Sequence, residues 1–484
     1  MEKGIVIIGG GVVGCAVARL LSQYEESVTL LEGKSDIAEG ASKANSGIVH
    51  AGFDAKPGSI KAKLNVKGAN MYPALCEEVH APYCRSGAMV LAFSEEERHI
   101  VEKLYEQGAA NGVPELRIIE HDEIVDLEPH VNPDVVCALL APTSGITSPY
   151  ELTCALADHA AVNGVEFCMN TRVETIRQEG EGYLLETSQG PMYAKVIINC
   201  AGVGSAKLHN MISDAPLSII PRKGEYYLLD HIRPLLFSRT MFQTPTKMGK
   251  GVLVSPTVHG NILVGPSATD VEDGEAVETT AAGLAGVLAA ARKTWPDIRL
   301  NKVITTFAGM RAHETNGDFI IGAVKGCKNA YETVGIESPG LSAAPAIAEI
   351  LVAQIAAEQG LKKKAQWLPA PVREKPFYDM NDEERAAIVK KNPEYGTLVC
   401  RCEQVTEAEI RAAIRRPVGA KTIDAVKRRT RAGMGRCQGG FCSPRVLEIL
   451  AEELNISPLE VTKCGGESRL LFGTIAESLP KEEA

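Results

Sequence analysis

Three groups of residues have the types and spacing to do chemistry. Four cysteines late in the chain form a CxC pair, Cys400 and Cys402, and a CxxxxC pair, Cys437 and Cys442. Four thiolates so grouped can hold a metal centre, and Gly439 and Gly440 let the backbone wrap closely and give N–H donors to sulfur. Early in the chain Gly9-Gly10-Gly11-Val12-Val13-Gly14 reads GxGxxG, between an apolar run at 4–8 and an amphipathic one at 15–21. In that strand, turn and helix setting Gly9 and Gly11 admit a pyrophosphate, the following helix's N-terminus faces it, and Val12 and Val13 are cofactor-binding candidates between them. Gly14 lets helix and strand pack. Glu32, closing a second apolar run that starts at Ser27, is placed to accept from ribose hydroxyls. The third group is His50, whose imidazole titrates near neutrality, and Arg311, whose guanidinium offers a rigid fork to carboxylate or phosphate.

The glycine fingerprint does not choose between NAD and FAD, but three other segments favour a flavin. Residues 39–52, EGASKANSGIVHAG, form a loop of small and hydroxyl residues, among them Ser42, Asn45, Ser46 and Gly47, that lets backbone approach a flat ring. VIINCAG at 196–202 is a buried strand ending in Ala201-Gly202. GIESPGLSAAP at 335–345 opens a long helix reaching about Glu358, which aims its N-terminal amides at an anionic group; Gly340, Leu341 and Ser342 are the cofactor-binding candidates there. No second GxGxxG marks a separate NAD site. For the cysteine quartet a 2Fe–2S cluster competes with four-thiolate zinc, and the CxC pair sits poorly around one tetrahedral ion.

The chain has 484 residues, enough for two or three domains, and a formal net charge of -10, which argues against nucleic acid as a partner. It has neither a run of about 18 uncharged apolar residues nor a leader-like start, so no spanning segment and a cytoplasmic location are expected. Nine of its 13 cysteines are scattered through apolar segments and read as reduced, buried thiols. Residues 411–436 hold nine Lys or Arg against one acid, Asp424. Such a run supports three readings: cations stabilising a reduced cluster, a patch for an acidic redox partner, or a solvated face.

The stretch 44–63, ANSGIVHAGFDAKPGSIKAK, with KGEYYLLD at 223–230, GVLVSPTVHGNILVGP at 251–266 and GIESPGLSAAPAIAE, resembles the FAD-dependent D-amino-acid-oxidase superfamily over about residues 1–360. Within it the chain looks most like soluble glycerol-3-phosphate dehydrogenases and oxidases and L-2-hydroxyglutarate oxidases; Phe53-Asp54 leans toward the first. The motifs at 400–402 and 437–442 resemble the bacterioferritin-associated-ferredoxin-like 2Fe–2S domains over about 395–470. The resemblance implies FAD and a 2Fe–2S cluster as cofactors. It puts Val173 with the other cofactor-contacting positions, makes His50 the catalytic base, and sets Arg311 near the flavin as the catalytic and substrate-binding cation. Lys250, Ser338 and one of Tyr226 and Tyr227 are further candidates for a small anionic substrate. Neighbours on a strand face opposite ways, so only one of the two can face the ligand; Tyr226 is carried as the candidate, although the sequence does not say which it is. His313, beside Arg311, reads more readily as structural.

The expected fold class is α/β, α+β overall: a Rossmann-like FAD-binding domain (about 1–85, 145–215 and 315–360) interleaved with an antiparallel-sheet substrate domain (86–144 and 216–314). A linker at 361–395, a small helical iron–sulfur domain at 396–470 with helices at 407–416 and 444–454, and a tail at 471–484 follow. The expected activity is oxidation of sn-glycerol 3-phosphate to dihydroxyacetone phosphate, with electrons leaving through the cluster to a protein acceptor such as an NAD-linked flavoprotein. An L-2-hydroxy-acid or amino-acid dehydrogenase, a non-catalytic electron-transfer subunit and an iron or redox sensor are the alternatives.

Overall fold

Residues 2–245 and 251–473 are described by a computed structural model. The chain divides into two compact units, Met1–Gly33 with Ile37–Val372, and Lys34–Asp36 with Arg373–Ala484.

The first unit is built on two sheets. The apolar run at its start becomes the strand Glu2–Ile8, lying parallel to Val28–Leu31 on one side and Gly190–Asn199 on the other. Glu166–Cys168 and Ala330–Val334 extend the parallel order, and the meander Val173–Glu179, Gly182–Thr187, Gly190–Asn199 closes one side of an eight-stranded sheet. A strand buried on both faces needs helices over it, and Val12–Leu21 supplies one, with nine of its ten residues buried. Gly340–Gln359 is another, starting within the segment 335–345 that the sequence marked as its opening. Among the described residues it is the one helix long and apolar enough to cross a membrane, and 61% of its most apolar window is buried in the fold.

The second sheet has nine strands. Ile219–Leu229 is one of its long strands, and Leu253–Pro256 and Ile262–Gly265 flank a turn in which Thr257 N–H donates to Asn261 O at 2.8 Å. The period of two sorts side chains into two cores. Met89, Leu91, Met241 and Val254 point under the helix Ala281–Thr294 with Phe237 and Trp295, while Ala88, Val90, Phe242 and Leu253 point toward Ile48 and Phe53 of the glycine-rich loop. The sheet is not wholly antiparallel as expected, because Thr240–Gln243 runs parallel to Ala88–Ala92. These strands belong to the two separate excursions of this domain, so no hairpin constrains their direction.

The expected linker at 361–395 is also corrected. Residues up to Val372 belong to the first unit: Lys363 bridges to Tyr24, and Trp367 stacks on His159 at 4.4 Å. Asp382–Lys391 is a helix of the second unit with an Asn381/Glu384 capping box, a start signal the prolines obscured. That unit holds the helices Glu407–Ile414, Ile423–Thr430 and Ser443–Leu454 around Ile410, Val426, Ile449 and Leu450.

The helix Ile423–Thr430 lies inside the cationic run, whose charge masked its apolar stripe. The run is not a solvated face. Arg428 and Arg429 are buried and share Asp36 at 2.7–2.8 Å, Arg431 pairs with the buried Glu403, and Arg411 and Arg415 hold Glu453.

In the first unit the helices Ile60–Glu78 and Gly340–Gln359 pack at Gly68, where an added Cβ would lie 2.1 Å from Ser342 O. Gly68→Ala is expected to cost about 1–3 kcal/mol by overpacking, lowering Tm by several degrees in calorimetry. An unchanged Tm would show that the two helices separate without penalty.

Candidate functional site: a nucleotide cradle, a glycine-backed sheet face and a cysteine corner

The nucleotide cradle assembles at the carboxyl ends of the parallel strands. Gly9 has φ +114°, and a Cβ there would lie 2.4 Å from Cys200 O; one on Gly14 would lie 2.0 Å from Gly9 O. No other residue type fits these two positions. Gly10 N–H donates to Glu32 Oε2 at 2.8 Å, and Val12 N–H to Ser42 Oγ at 2.9 Å. Val13 follows it in the helix, and Gly11 opens the helix without a side-chain cap, so backbone is presented there. Thr171 N–H donates to Glu32 O at 2.8 Å, which brings Val173 alongside, and Ala201 stands against Gly9 with Gly202 opening a turn at φ +56°. A fingerprint with its acidic residue and three flanking segments at one sheet edge fits a dinucleotide.

The loop at 39–52 is braced from within and from both sides. Asn45 Nδ2 donates to Ala41 O and its Oδ1 accepts from Gly47 N–H, on either side of the half-buried Ser46. His50 N–H donates to Ser342 Oγ at 2.7 Å, and Asn65 Nδ2 donates to His50 O at 2.6 Å. Tyr72 Oη donates to Leu341 O at 2.6 Å, fixing the start of the same helix beside Gly340. The His50 ring is buried, 4.6 Å from Phe53 and 5.3 Å from Phe242 by ring centres, with Nδ1 3.5 Å from Asp54 Oδ1.

The paired strands Ile219–Leu229 and Val303–Glu314 turn one face to this loop. A Cβ on Gly309 would lie 1.8 Å from Ala44 O, so the residues in phase with Gly309 point the same way. Across the register they are Tyr226 with Phe307, Gly224 with Gly309, Arg222 with Arg311, and Ile220 with His313. Tyr226 stacks on Phe307 at 4.8 Å, and burial raises its phenol pKa against the opposing effect of Arg311. Arg311 folds over the gap at Gly224, donating from Nη2 to Ser267 O at 2.8 Å. Tyr227 faces the other way, into the core under Ala281–Thr294, so the choice between the two tyrosines falls on Tyr226.

Sequence reasoning missed Glu337. Its Oε1 accepts from Lys61 Nζ at 2.7 Å and meets His313 Nδ1 at 3.0 Å, a partner that gives His313 a place in the charged rim. Ser338 follows it, exposed. Only tertiary proximity joins residues 61, 313 and 337, and no spacing signal reports it. Lys250 lies outside the described residues.

In the second unit the four cysteines meet as two pairs. Cys402 Sγ lies 3.8 Å from Cys437 Sγ at the surface, and Cys400 and Cys442 are buried together. A hydrogen bond from Cys442, aided by backbone N–H groups of Gly433 and Glu403, lowers the Cys400 thiol from its ordinary range. Phe441 N–H, and then Gly439 N–H, lower Cys437, whereas Gly440 N–H goes to Cys437 O rather than to sulfur. Among the described residues no three His, Cys, Asp or Glu side chains are disposed around a single ion. Two thiol pairs with amide donors beside them fit a diiron cluster, which Cys400, Cys402, Cys437 and Cys442 would hold, better than one tetrahedral zinc.

Two outcomes follow. Burial raises the Glu337 carboxyl, but Lys61 and His313 outweigh it and hold it below the ordinary range. A depressed folded pKa gives stability that is full above the unfolded value, about 4.3, and lost as pH falls through the folded one. Denaturant melts of Glu337→Gln should therefore fall short of wild type at pH 7 and converge with it below about pH 4; a gap independent of pH would refute the ion pairs. Cys400→Ser should lose iron and cluster absorption while flavin absorption stays, and retention of both iron and spectrum would remove Cys400 from the ligand set.

The family of FAD dependent oxidoreductases matches residues 4–354, and the BFD-like [2Fe-2S] binding domain matches 398–452. A glycerol 3-phosphate dehydrogenase of Caloramator mitchellensis is 46% identical over 97% of this chain and 98% of its own. An L-2-hydroxyglutarate dehydrogenase of Indibacter alkaliphilus is 30% identical over 55% of this chain and 68% of its own. The solved structure of dithionite-reduced L-alpha-glycerophosphate oxidase from Mycoplasma pneumoniae with FAD bound superposes with a TM-score of 0.73, at 33% identity over 77% of this chain and all of that one. With a glycine cradle shaped for a dinucleotide and a cysteine corner shaped for two irons, the chain belongs to the FAD-dependent oxidoreductases and carries a 2Fe–2S domain as well.

Proposed function

We propose that the protein is a dehydrogenase that oxidises sn-glycerol 3-phosphate to dihydroxyacetone phosphate and delivers the electrons through its 2Fe–2S cluster to a separate protein acceptor. The observation that carries this reading is the match to the Caloramator dehydrogenase across 97% of the chain, which takes in the oxidoreductase part and the cysteine domain together. The hydroxyglutarate relative matches 55%.

The residues suit that chemistry. Bound FAD supplies the acceptor for a hydride equivalent from the carbinol carbon. His50 takes the hydroxyl proton at Nε2, its ring oriented by Asp54 facing Nδ1 and enclosed by Phe53 and Phe242. Arg311, already tied to Ser267 O on the face that meets the loop, presents its remaining N–H groups to the phosphate. Tyr226 and Phe307 wall that face, and Lys250 and Ser338 are assigned to the substrate's anionic end. Gly9 to Gly14, Glu32, Val173 and Ala201-Gly202 hold the dinucleotide part, with Ser42 to Gly47 and Gly340 to Ser342 about the ring. An acceptor that receives one electron at a time, such as an NAD-linked flavoprotein, suits a cluster outlet.

Anaerobic mixing tests the reading. Glycerol 3-phosphate should bleach the flavin and then reduce the cluster, while L-2-hydroxyglutarate leaves both unchanged; the reverse result overturns the assignment. His50→Ala should slow bleaching roughly 10²–10⁴-fold. Arg311→Ala should raise KM roughly 10–100-fold, the loss of a charge-assisted contact, and an Arg311→Ala enzyme with wild-type KM would take this residue out of the site.

A further inference from the structure

We propose that the outer side of the cysteine corner, formed by Cys402, Cys437, Arg401, Arg436 and Phe441, is the docking surface for an acidic one-electron carrier protein. The proposal rests on the reading that electrons leave through the cluster. The two sulfur pairs differ in exposure: Cys400 and Cys442 are 1% and 2% exposed, Cys402 is exposed, and Cys437 is half-buried beside it. An electron leaving the second unit therefore reaches a partner most directly through the Cys402/Cys437 pair.

The residues around that pair have the chemistry of an interface. Phe441 is 87% exposed, although it stands next to the buried Cys442. Its own N–H is within hydrogen-bond reach of the Cys437 sulfur, which ties its backbone to the exposed sulfur pair. A large ring kept exposed in an anchored loop is matched by a partner that covers it. Of the exposed residues in the two cysteine loops, Arg401 and Arg436 are cationic and none is acidic. Glu403, the one acid within those loops, is buried against Arg431. A local positive spot with an aromatic centre, on a chain whose formal net charge is -10, selects an acidic partner and orients it with the sulfur pair at the contact. One electron passes from the reduced cluster to the oxidised carrier, which is reduced as the cluster returns to its oxidised form; no bond forms or breaks.

The test uses the full-length holoprotein with an acidic flavodoxin as probe and basic cytochrome c as the charge control. Flavodoxin binding at low salt should weaken roughly tenfold when salt is raised through the physiological range. The double variant Arg401→Glu/Arg436→Glu should bind at least about tenfold more weakly, with little salt dependence left, and Phe441→Ser should weaken binding without changing the salt slope. Each variant must keep the wild-type cluster EPR signal, which shows that the corner is intact; if the double variant loses it, Arg401→Gln/Arg436→Gln takes its place. Absence of flavodoxin binding, equal binding by wild type and charge-altered protein, or equal capture of cytochrome c overturns the proposal. So does an oligomer that dissociates on charge reversal, which would make this face a contact between copies. If glycerol 3-phosphate leaves the flavin coloured while flavodoxin still binds here, the substrate reading falls and the docking surface stands.

Discussion

The structure of the first unit turns on how the main chain around His50 is held. Ser342 Oγ takes the His50 amide and Asn65 Nδ2 gives to the His50 carbonyl, so two helices grip one residue of a loop that has only two residues of strand in it. A loop rich in small residues has much conformational entropy to lose, and two buried hydrogen bonds plus the packing of Ile48 and Phe53 offset that loss. Ser342 itself is placed by the contact at Gly68, which only glycine permits. The same loop meets the substrate sheet at Ala44, where Gly309 has no side chain to hold it off. The position of the catalytic candidate therefore depends on glycines far from it in sequence.

That arrangement explains which features could be read in advance. The fingerprint at 9–14 and the opening of a helix within 335–345 each express a local rule: close backbone approach, or termination of a turn. The choice of Tyr226 over Tyr227 needed one further fact, the phase of the strand relative to Gly309, and that is a tertiary contact. Glu337 shows the limit from the other side. Nothing near it in sequence marks it, and its meaning comes wholly from Lys61 and His313.

The errors have the same origin. The segment at 361–395 is rich in lysine and proline, a composition that argues for a linker. Yet its first part is fixed by a bridge to Tyr24 and a ring stacked on His159, and its last part by a capping box. Composition reports what a segment can bury by itself, while these contacts are made by neighbours distant in sequence. The helix Ile423–Thr430 was hidden because its buried positions include two arginines, and a hydropathy pattern cannot distinguish an arginine in water from one that meets a buried carboxylate.

This pairing also decides among explanations for the cationic run. Nine cations near an anionic cluster suggest that the charge of the run stabilises the reduced state. Six of them, Arg411, Arg415, Lys427, Arg428, Arg429 and Arg431, are matched by carboxylates within the second unit, and a matched pair has a far weaker field at a distance than a bare charge. What acts on the sulfurs at close range is the paired thiol and the backbone: Cys442 and then the N–H groups of Gly433 and Glu403 at Cys400, and the N–H of Phe441, Cys402 and the N–H of Gly439 at Cys437. Dipoles at hydrogen-bond distance, fixed by a loop with glycines at 433, 435, 439 and 440, are not screened by salt as surface charges are. The lowering of Cys400 and Cys437 is thus local, while Arg428 and Arg429, paired with Asp36, belong to the helix that precedes the loop.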